Sequence, residues 1–119
     1  MKEVKAYIRH HRVNQVIEAL EREGFTDMTL IDVRGITSGL HNEEYKYSLE
    51  LAQKYMDVIK LEIVCADAEA RKAVAIIAQA AHTGRKGDGL VFVTPVESIV
   101  RINTGRKGKA ALQQEDAPG

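Results

Sequence analysis

The sequence has few of the features that mark exported, membrane-spanning or nucleic-acid-binding proteins. Its single cysteine, Cys65, cannot form an internal disulfide and is typical of a reducing compartment. It has no apolar run of about 18 residues, so we expect no membrane-spanning helix. The 17 basic and 17 acidic residues cancel, so net charge does not suggest a nucleic-acid partner. The first residues lack the apolar segment of a signal peptide, and we expect a cytoplasmic protein.

Catalytic and metal-binding signatures are missing as well. No Ser/His/Asp arrangement or pair of carboxylates indicates a catalytic site. The four histidines and one cysteine lack the spacing of a metal site. The aromatic stacking pair of RNA-binding sheets is also absent. We therefore expect no catalytic residues, no metal and no nucleic acid.

Hydrophobic spacing predicts the element order β-α-β twice in succession. The predicted strands cover residues 4–9, 27–35, 58–65 and 90–94. The first helix begins near Val13 with Gly24 as its C-cap glycine, and the second has Asp67 as its N-cap. Its apolar stripe consists of Ala70, Val74, Ile77, Ala78 and Ala81.

Two split β-α-β units predict a ferredoxin-like α+β fold, with both helices on one face of a four-stranded antiparallel sheet. The opposite face is too apolar to be left fully in water, which indicates an oligomer. That face carries Tyr7, Thr29, Ile31, Val33 and Val64. Residues 1–108 form the predicted domain. We expect residues 109–119 to be a flexible tail, within a polar stretch that begins at Gly105.

A polar and charged stretch, Ile36 to Asp57, separates the two units. Connections of about twenty residues are uncommon in compact domains and are usually functional or disordered. This stretch is therefore a candidate for binding a partner.

Three glycines lie within Thr83–Gly89, between the second helix and the last strand. Glycine accepts positive φ, so this loop can turn several backbone N–H groups toward a phosphate, and Arg85 and Lys86 add positive charge. The same glycines also fit a helix C-cap at Gly84 and a tight turn at Asp88–Gly89. The loop alone leaves both interpretations open.

Several blocks in colinear order resemble the PII-type signalling proteins, a trimeric ferredoxin-like family that senses adenine nucleotides. The blocks are Gly24–Thr29, Val33–Gly35, Lys60–Val64, Thr83–Gly89, Val91–Val93 and Arg101–Gly105. The glycine loop resembles the family's B-loop, residues 36–57 its T-loop and Arg101–Gly105 its C-terminal loop. The resemblance implies a homotrimer with nucleotide sites in clefts between neighbouring subunits.

The resemblance also implies roles for individual residues. Phosphates would lie on the backbone amides of Gly87, Asp88 and Gly89, with Arg101 approaching from the adjacent chain. The adenosine end would be lined by Thr29, Gly35, Glu62, Val64 and Thr83, with Glu62 accepting hydrogen bonds from the ribose. The remaining candidate nucleotide-binding residues are Ile36, Thr37, Arg85, Leu90 and Asn103. Without the resemblance, Glu62 and Arg101 fit solvated charges at a strand edge.

Departures from the family pattern change the expected ligand. Val58 and Gly39 stand where relatives that bind 2-oxoglutarate carry a lysine and a glutamine, so we expect no 2-oxoglutarate sensing. Leu90 replaces a phosphate-binding lysine and Asn103 an arginine. Losing two cations weakens a polyphosphate site most for the most charged ligand, so we expect ADP or AMP to bind more tightly than ATP.

The sequence thus predicts a nucleotide-sensing regulator without an obligatory cofactor, not an enzyme. Nucleotide occupancy would set the conformation of residues 36–57, which would dock on a transporter or metabolic enzyme. Its departures resemble a PII-like subgroup linked to bicarbonate uptake, so bicarbonate is a candidate ligand and inorganic carbon or nitrogen metabolism the expected setting. The alternative is a small ferredoxin-like enzyme that hydrolyses nucleotides.

Overall fold

Strand β1 (Lys2–Arg9) alternates between apolar and polar residues. Val4, Ala6 and Ile8 point to one side of the strand and are buried in the core. The computed structural model of the protein describes residues 1–36, 55–85 and 87–113, and only the backbone of residues 34–36 and 55–57. Within them, β2 covers Thr29–Ile36, β3 covers Tyr55–Cys65 and β4 covers Leu90–Pro95.

The four strands form one sheet in the order β2-β3-β1-β4. The neighbouring strands pair antiparallel, with Ala6 opposite both Leu61 and Val91. Together with two helices packed on one face, this is the predicted ferredoxin-like arrangement. Because β1 and β2 are both antiparallel to β3, they run in the same direction and finish at the same end of the sheet.

The predicted strand boundaries need correction at several ends. β1 begins at Lys2 instead of Val4, and β2 begins at Thr29 instead of Asp27. Backbone pairing of β2 with β3 extends to Ile36 opposite Tyr55, so residues 36 and 55–57 belong to strands rather than to the connecting loop. The local composition there is polar, and the ladder formed with the partner strand overrides it. The rest of the predicted T-loop, residues 37–54, lies outside the described residues.

Helix α1 (Val13–Arg22) is terminated by Gly24, the glycine predicted to close it. Gly24 has a φ of +91°, its N–H donates to the carbonyl of Glu21 at 3.0 Å, and the N–H of Phe25 donates to that of Leu20 at 3.0 Å. These two bonds satisfy the last carbonyls of the helix and form a Schellman motif. A short 3₁₀ helix, His10–Arg12, precedes α1.

Helix α2 (Asp67–Ala81) begins one residue earlier than predicted. Ala66 is the N-cap residue, so the prediction of Asp67 as N-cap is wrong, and Asp67 is the first helical residue. Its carboxylate lies 2.8 Å from the ammonium of Met1, and this contact lowers the pKa of Asp67. The predicted C-cap glycine, Gly84, lies three residues beyond Ala81 and does not cap the helix.

The core lies between the helices and one face of the sheet. Of the predicted stripe on α2, Ala70, Ile77 and Ala81 are buried, Val74 is half-buried and Ala78 is exposed. The prediction for Ala78 is therefore wrong, and Ala73, which it omitted, is fully buried. The side chains that form the core are Val4, Ala6, Ile8, Val16, Leu20, Phe25, Ile59, Leu61, Ile63, Cys65, Ala70, Ala73, Ile77 and Ala81.

The face of the sheet away from the helices keeps apolar residues in contact with solvent, as the alternation predicts. Ile31 and Val64 are 39% and 37% exposed, and the rings of Tyr7 and Phe92 stack with centroids 6.1 Å apart. The same face also carries charged residues, and the Lys5 ammonium lies 3.4 Å from the Glu3 carboxylate. An apolar face of this kind favours a partner surface.

Residues after β4 return across the domain. Gly108–Leu112 form a 3₁₀ helix in which Ala111 is 3% exposed. The predicted domain boundary after residue 108 falls inside this helix, which no sequence pattern predicted. Residues 114–119 of the predicted tail lie outside the described residues.

Candidate functional site

The glycine loop is organised around the carboxylate of Asp88. One carboxylate oxygen accepts hydrogen bonds from the N–H groups of Thr83, at 2.8 Å, and Gly84, at 3.0 Å. The other accepts a hydrogen bond from the Thr83 hydroxyl and one from Nε of Arg9, at 3.2 Å. The hydroxyl and then the N–H of Thr83 hold the pKa of Asp88 well below its usual value. Asp88 is therefore an anionic anchor of the loop.

The glycines place this anchored loop directly on β1. Gly89 has a φ of +94°, and a Cβ atom there would lie 1.7 Å from the carbonyl oxygen of Tyr7. Gly87 has a φ of +91°. Only glycine fits at residue 89, because any side chain would overlap the backbone of β1. The bonds to Asp88 do not use the N–H groups of Gly87, Asp88 and Gly89, the three amides predicted to hold phosphate.

A second feature is a cavity of about 1260 Å³ beside the start of β2 and the end of β3. Five of the candidate nucleotide-binding residues line it: Thr29, Glu62, Val64, Arg101 and Asn103. Thr29 lies opposite Glu62 in the strand register, so both side chains stand on the open face of the sheet. The structure therefore brings these five residues together within one protomer.

Glu62 is placed to accept hydrogen bonds at the edge of this cavity. Its carboxylate lies 3.9 Å from the ammonium groups of Lys5 and of Lys60, and its side chain is 21% exposed. Carboxylate oxygens accept hydrogen bonds, so Glu62 can accept them from hydroxyl groups of a ligand.

Arg101 is held by its own chain. Its Nε donates to the carbonyl of Ala111 at 3.0 Å, and its Nη2 lies 3.2 Å from Oδ2 of Asp27. Nη2 also donates to the carbonyl of Gln113 at 3.4 Å. These acceptors, separated from Arg101 by 10 to 74 positions of sequence, are not signalled by any local motif. None of the three contacts was predicted from the sequence.

The predicted site residues fall into two groups at opposite ends of the sheet. Asp88, Gly89 and Leu90 line a separate cavity of about 180 Å³, near the end of β1. Gly35 and Ile36 lie at the same end, because β1 and β2 finish together. The side chain of Ile36 is not described, and Thr37 lies outside the described residues. The cavity residues Thr29 and Val64 lie at the other end.

The expected adenosine-lining set splits, with Thr29, Glu62 and Val64 in the large cavity and Gly35 and Thr83 at the glycine-loop end. Arg101 also lines the large cavity. Arg85 is exposed on the loop, and its N–H donates to the Thr83 hydroxyl at 3.2 Å. One protomer thus presents two halves of the predicted site.

No group of three or more His, Cys, Asp or Glu residues within residues 1–36, 55–85 and 87–113 is arranged to hold a metal ion. Among the helices that the structure describes, none is long and apolar enough to cross a membrane.

Comparison with known proteins gives a consistent result over nearly the whole chain. The family model described as nitrogen regulatory protein P-II matches residues 1–106. Nitrogen regulatory protein P-II from Azospirillum brasilense is 38% identical over 112 residues, covering 94% of this chain and all of the relative. The proteins of the same name from Microchaete diplosiphon and Synechocystis sp. are 38% and 36% identical with the same coverage. The chain belongs to the nitrogen regulatory protein P-II family.

Proposed function

We propose that this chain is a regulatory protein that binds an adenine nucleotide in a cleft between two copies of itself. One observation carries the proposal: the glycine loop and the cavity around Glu62 and Arg101 lie at opposite ends of one sheet. A nucleotide can contact both only if the glycine loop of one copy faces the cavity of the next. In a homotrimer the open sheet faces would meet, which would bury the apolar residues Ile31 and Val64.

The chemistry of each half suits a different part of the nucleotide. The N–H groups of Gly87, Asp88 and Gly89 are not taken by the bonds to Asp88, so they would hold phosphate oxygens. The carboxylate of Glu62 would accept hydrogen bonds from ribose hydroxyls. Arg101 would reach the phosphates across the cleft, and the half-buried Thr83 would lie near the adenosine.

The absence of cations at residues 90 and 103 favours ADP or AMP over ATP. Leu90, at the start of β4, is 60% exposed and contributes no charge to the loop. Asn103 is also exposed and uncharged in the large cavity. Each further phosphate adds negative charge that no cation at residue 90 or 103 balances, so affinity should not rise from AMP to ATP.

The experiment is calorimetric titration of the full-length protein with AMP, ADP and ATP, at one fixed ionic strength. We expect one nucleotide per protomer, with ADP or AMP bound most tightly. Leu90→Lys should raise affinity, most for ATP, whereas Ala75→Lys, at an exposed position of α2 that lines neither cavity, serves as the control for added charge. Tightest binding of ATP by the natural sequence would contradict the ligand preference, and no binding of any nucleotide would contradict the proposed function.

Residues 36–57 are the proposed contact with a partner transporter or metabolic enzyme. Gly35 and Ile36 connect the glycine-loop end of the sheet to this segment, so bound phosphate would bias its conformation through different affinity for each state. We place this regulation in inorganic carbon or nitrogen metabolism. Nucleotide titrations with and without bicarbonate test the first setting: a change in nucleotide affinity would support it, and unchanged affinity would oppose it.

We propose binding rather than hydrolysis as the chemistry of the site. Asp88 already accepts hydrogen bonds from Thr83, Gly84 and Arg9, and its depressed pKa makes it a poor general base. Incubation with ATP should therefore release no phosphate beyond the uncatalysed rate. Sustained release that is lost in Asp88→Ala would instead support the nucleotide-hydrolysing enzyme.

A further inference from the structure

We infer that Asp27 is a specificity-determining residue, which limits how strongly Arg101 attracts the phosphates of a nucleotide. This inference rests on the proposed function. Oδ2 of Asp27 lies 3.2 Å from Nη2 of Arg101, and both residues line the large cavity. The Asp27 side chain is 59% exposed and that of Arg101 is 27% exposed, so the pair lies where a ligand can reach it.

The charges around this pair make it the decisive contact for an anion. Among the described residues that line the cavity, Arg101 is the only cation. The carboxylates lining it are Glu3, Glu23, Asp27, Glu62 and Glu69. A phosphate beside Arg101 therefore meets the one cation of the described cavity lining, and the Asp27 carboxylate competes with the phosphate for that guanidinium.

Arg101 does not depend on Asp27 to stay in place. Its Nε donates to the carbonyl of Ala111 at 3.0 Å, and Ala111 is 3% exposed, so this bond is anchored to a buried part of the chain. Removing the charge of Asp27 should thus leave the guanidinium where it is and free its charge for a ligand. A residue that merely positioned Arg101 would have the opposite effect on affinity.

The effect should grow with the charge of the ligand. Replacing the carboxylate by a neutral amide removes one repulsion for every phosphate charge that lies near Arg101. We expect Asp27→Asn to raise affinity about 2-fold for AMP, with a larger gain for ADP and the largest, about 10-fold, for ATP. Because the pair is partly exposed, these gains should shrink at high salt.

Calorimetric titration of the full-length protein tests the inference. The ligands are AMP, ADP and ATP, each titrated at low and at high salt. The control is Glu23→Gln: it removes the same charge from the same cavity, but Glu23 pairs with Lys72, at 3.2 Å, and not with Arg101. We expect the graded gain in Asp27→Asn and a much smaller, ungraded change in Glu23→Gln. The gain should also disappear when Asp27→Asn is combined with Arg101→Gln.

The outcomes separate the inference from the proposed function. If the natural protein binds nucleotide and Asp27→Asn binds it equally or more weakly, the inference is overturned and the proposed function stands. Equal gains in Asp27→Asn and Glu23→Gln would also overturn it, because they would reflect the net charge of the cavity alone. If no variant binds any nucleotide, both are overturned.

Discussion

The side chains of Arg9 and Asp88 meet across 79 positions of sequence, with Nε of Arg9 3.2 Å from Oδ1 of Asp88. This contact joins the end of β1 to the glycine loop. Together with the bonds from Thr83 and Gly84, it holds the loop on the sheet.

Acid should loosen this anchor. The pKa of Asp88 is lower in the folded protein than its unfolded value of about 3.9, so its stabilisation is fully present above that value. It is lost progressively as the pH falls from there toward the lower folded pKa. Asp88→Asn should unfold at lower urea concentration than the natural protein at pH 7, and the difference in midpoint should narrow at pH 3.

The comparison isolates Asp88 from other acidic groups. The pKa of Asp67 is also lowered in the folded state, so Asp67 titrates in the same range, but it is present in both proteins and its effect cancels. A difference in midpoint that does not change between pH 7 and pH 3 would contradict the role of the Asp88 charge.

Gly89→Ala should destabilise the protein severely. Its Cβ would lie 1.7 Å from the Tyr7 carbonyl oxygen, and the residue would have to keep a φ of +94° or move β4 away from β1. We expect a loss of about 3 kcal/mol or more in the free energy of unfolding, measured by urea denaturation. Gly84→Ala is the matched control, with a similar φ of +84° and only His82 Nε2 nearby, at 3.8 Å. It should cost about 1 kcal/mol.

Arg12 should stabilise the contact between the two helices. Its Nε and Nη2 donate to the carbonyl of Ala80 at 3.1 and 2.7 Å, near the end of α2. Arg12→Ala leaves that carbonyl without these donors, and we expect a loss of about 1–2 kcal/mol in urea denaturation. Arg22→Ala removes an exposed bond to Glu18 within α1 and should cost no more than about 0.5 kcal/mol. Equal losses in both variants would contradict this role.

The buried face of α2 can be tested with one pair of substitutions. Ala73 is 0% exposed and packed in the core, so Ala73→Leu should overpack it and cost about 1–3 kcal/mol. Ala78 is exposed, and Ala78→Leu should change the free energy of unfolding by about 0.5 kcal/mol or less. Thermal denaturation followed by circular dichroism ranks the two. A larger loss at residue 78 would restore the helical face predicted from sequence.

Much of the fold follows from local patterns that any reader of the sequence can see. Alternation in β1 and β3 identified their buried faces, since successive strand residues point to opposite sides. Gly24 marked the end of α1, because a left-handed residue there satisfies the last carbonyls. On α2, spacing alone did not distinguish the buried Ala73 from the exposed Ala78, because alanines lie on several sides of that helix.

The candidate site could be predicted only in part. Glu62, Arg101 and the glycine loop were proposed from the sequence blocks, but their division between two ends of the sheet was not predicted. Asp27 beside Arg101 was missed, because the two residues are 74 positions apart and an exposed aspartate before a strand carries no signal of its own.

The sequence by itself determined the order of the elements, the two faces of the sheet and the position of the glycine loop, since each depends on residues close together in the chain. Only the tertiary structure decided what those residues touch. Asp88 accepts from Arg9, Gly89 packs on Tyr7, and Arg101 is shared between Asp27 and the returning C-terminal turn. These are contacts between distant parts of the chain, set by strand register and by the path of the backbone, and no local pattern encodes them.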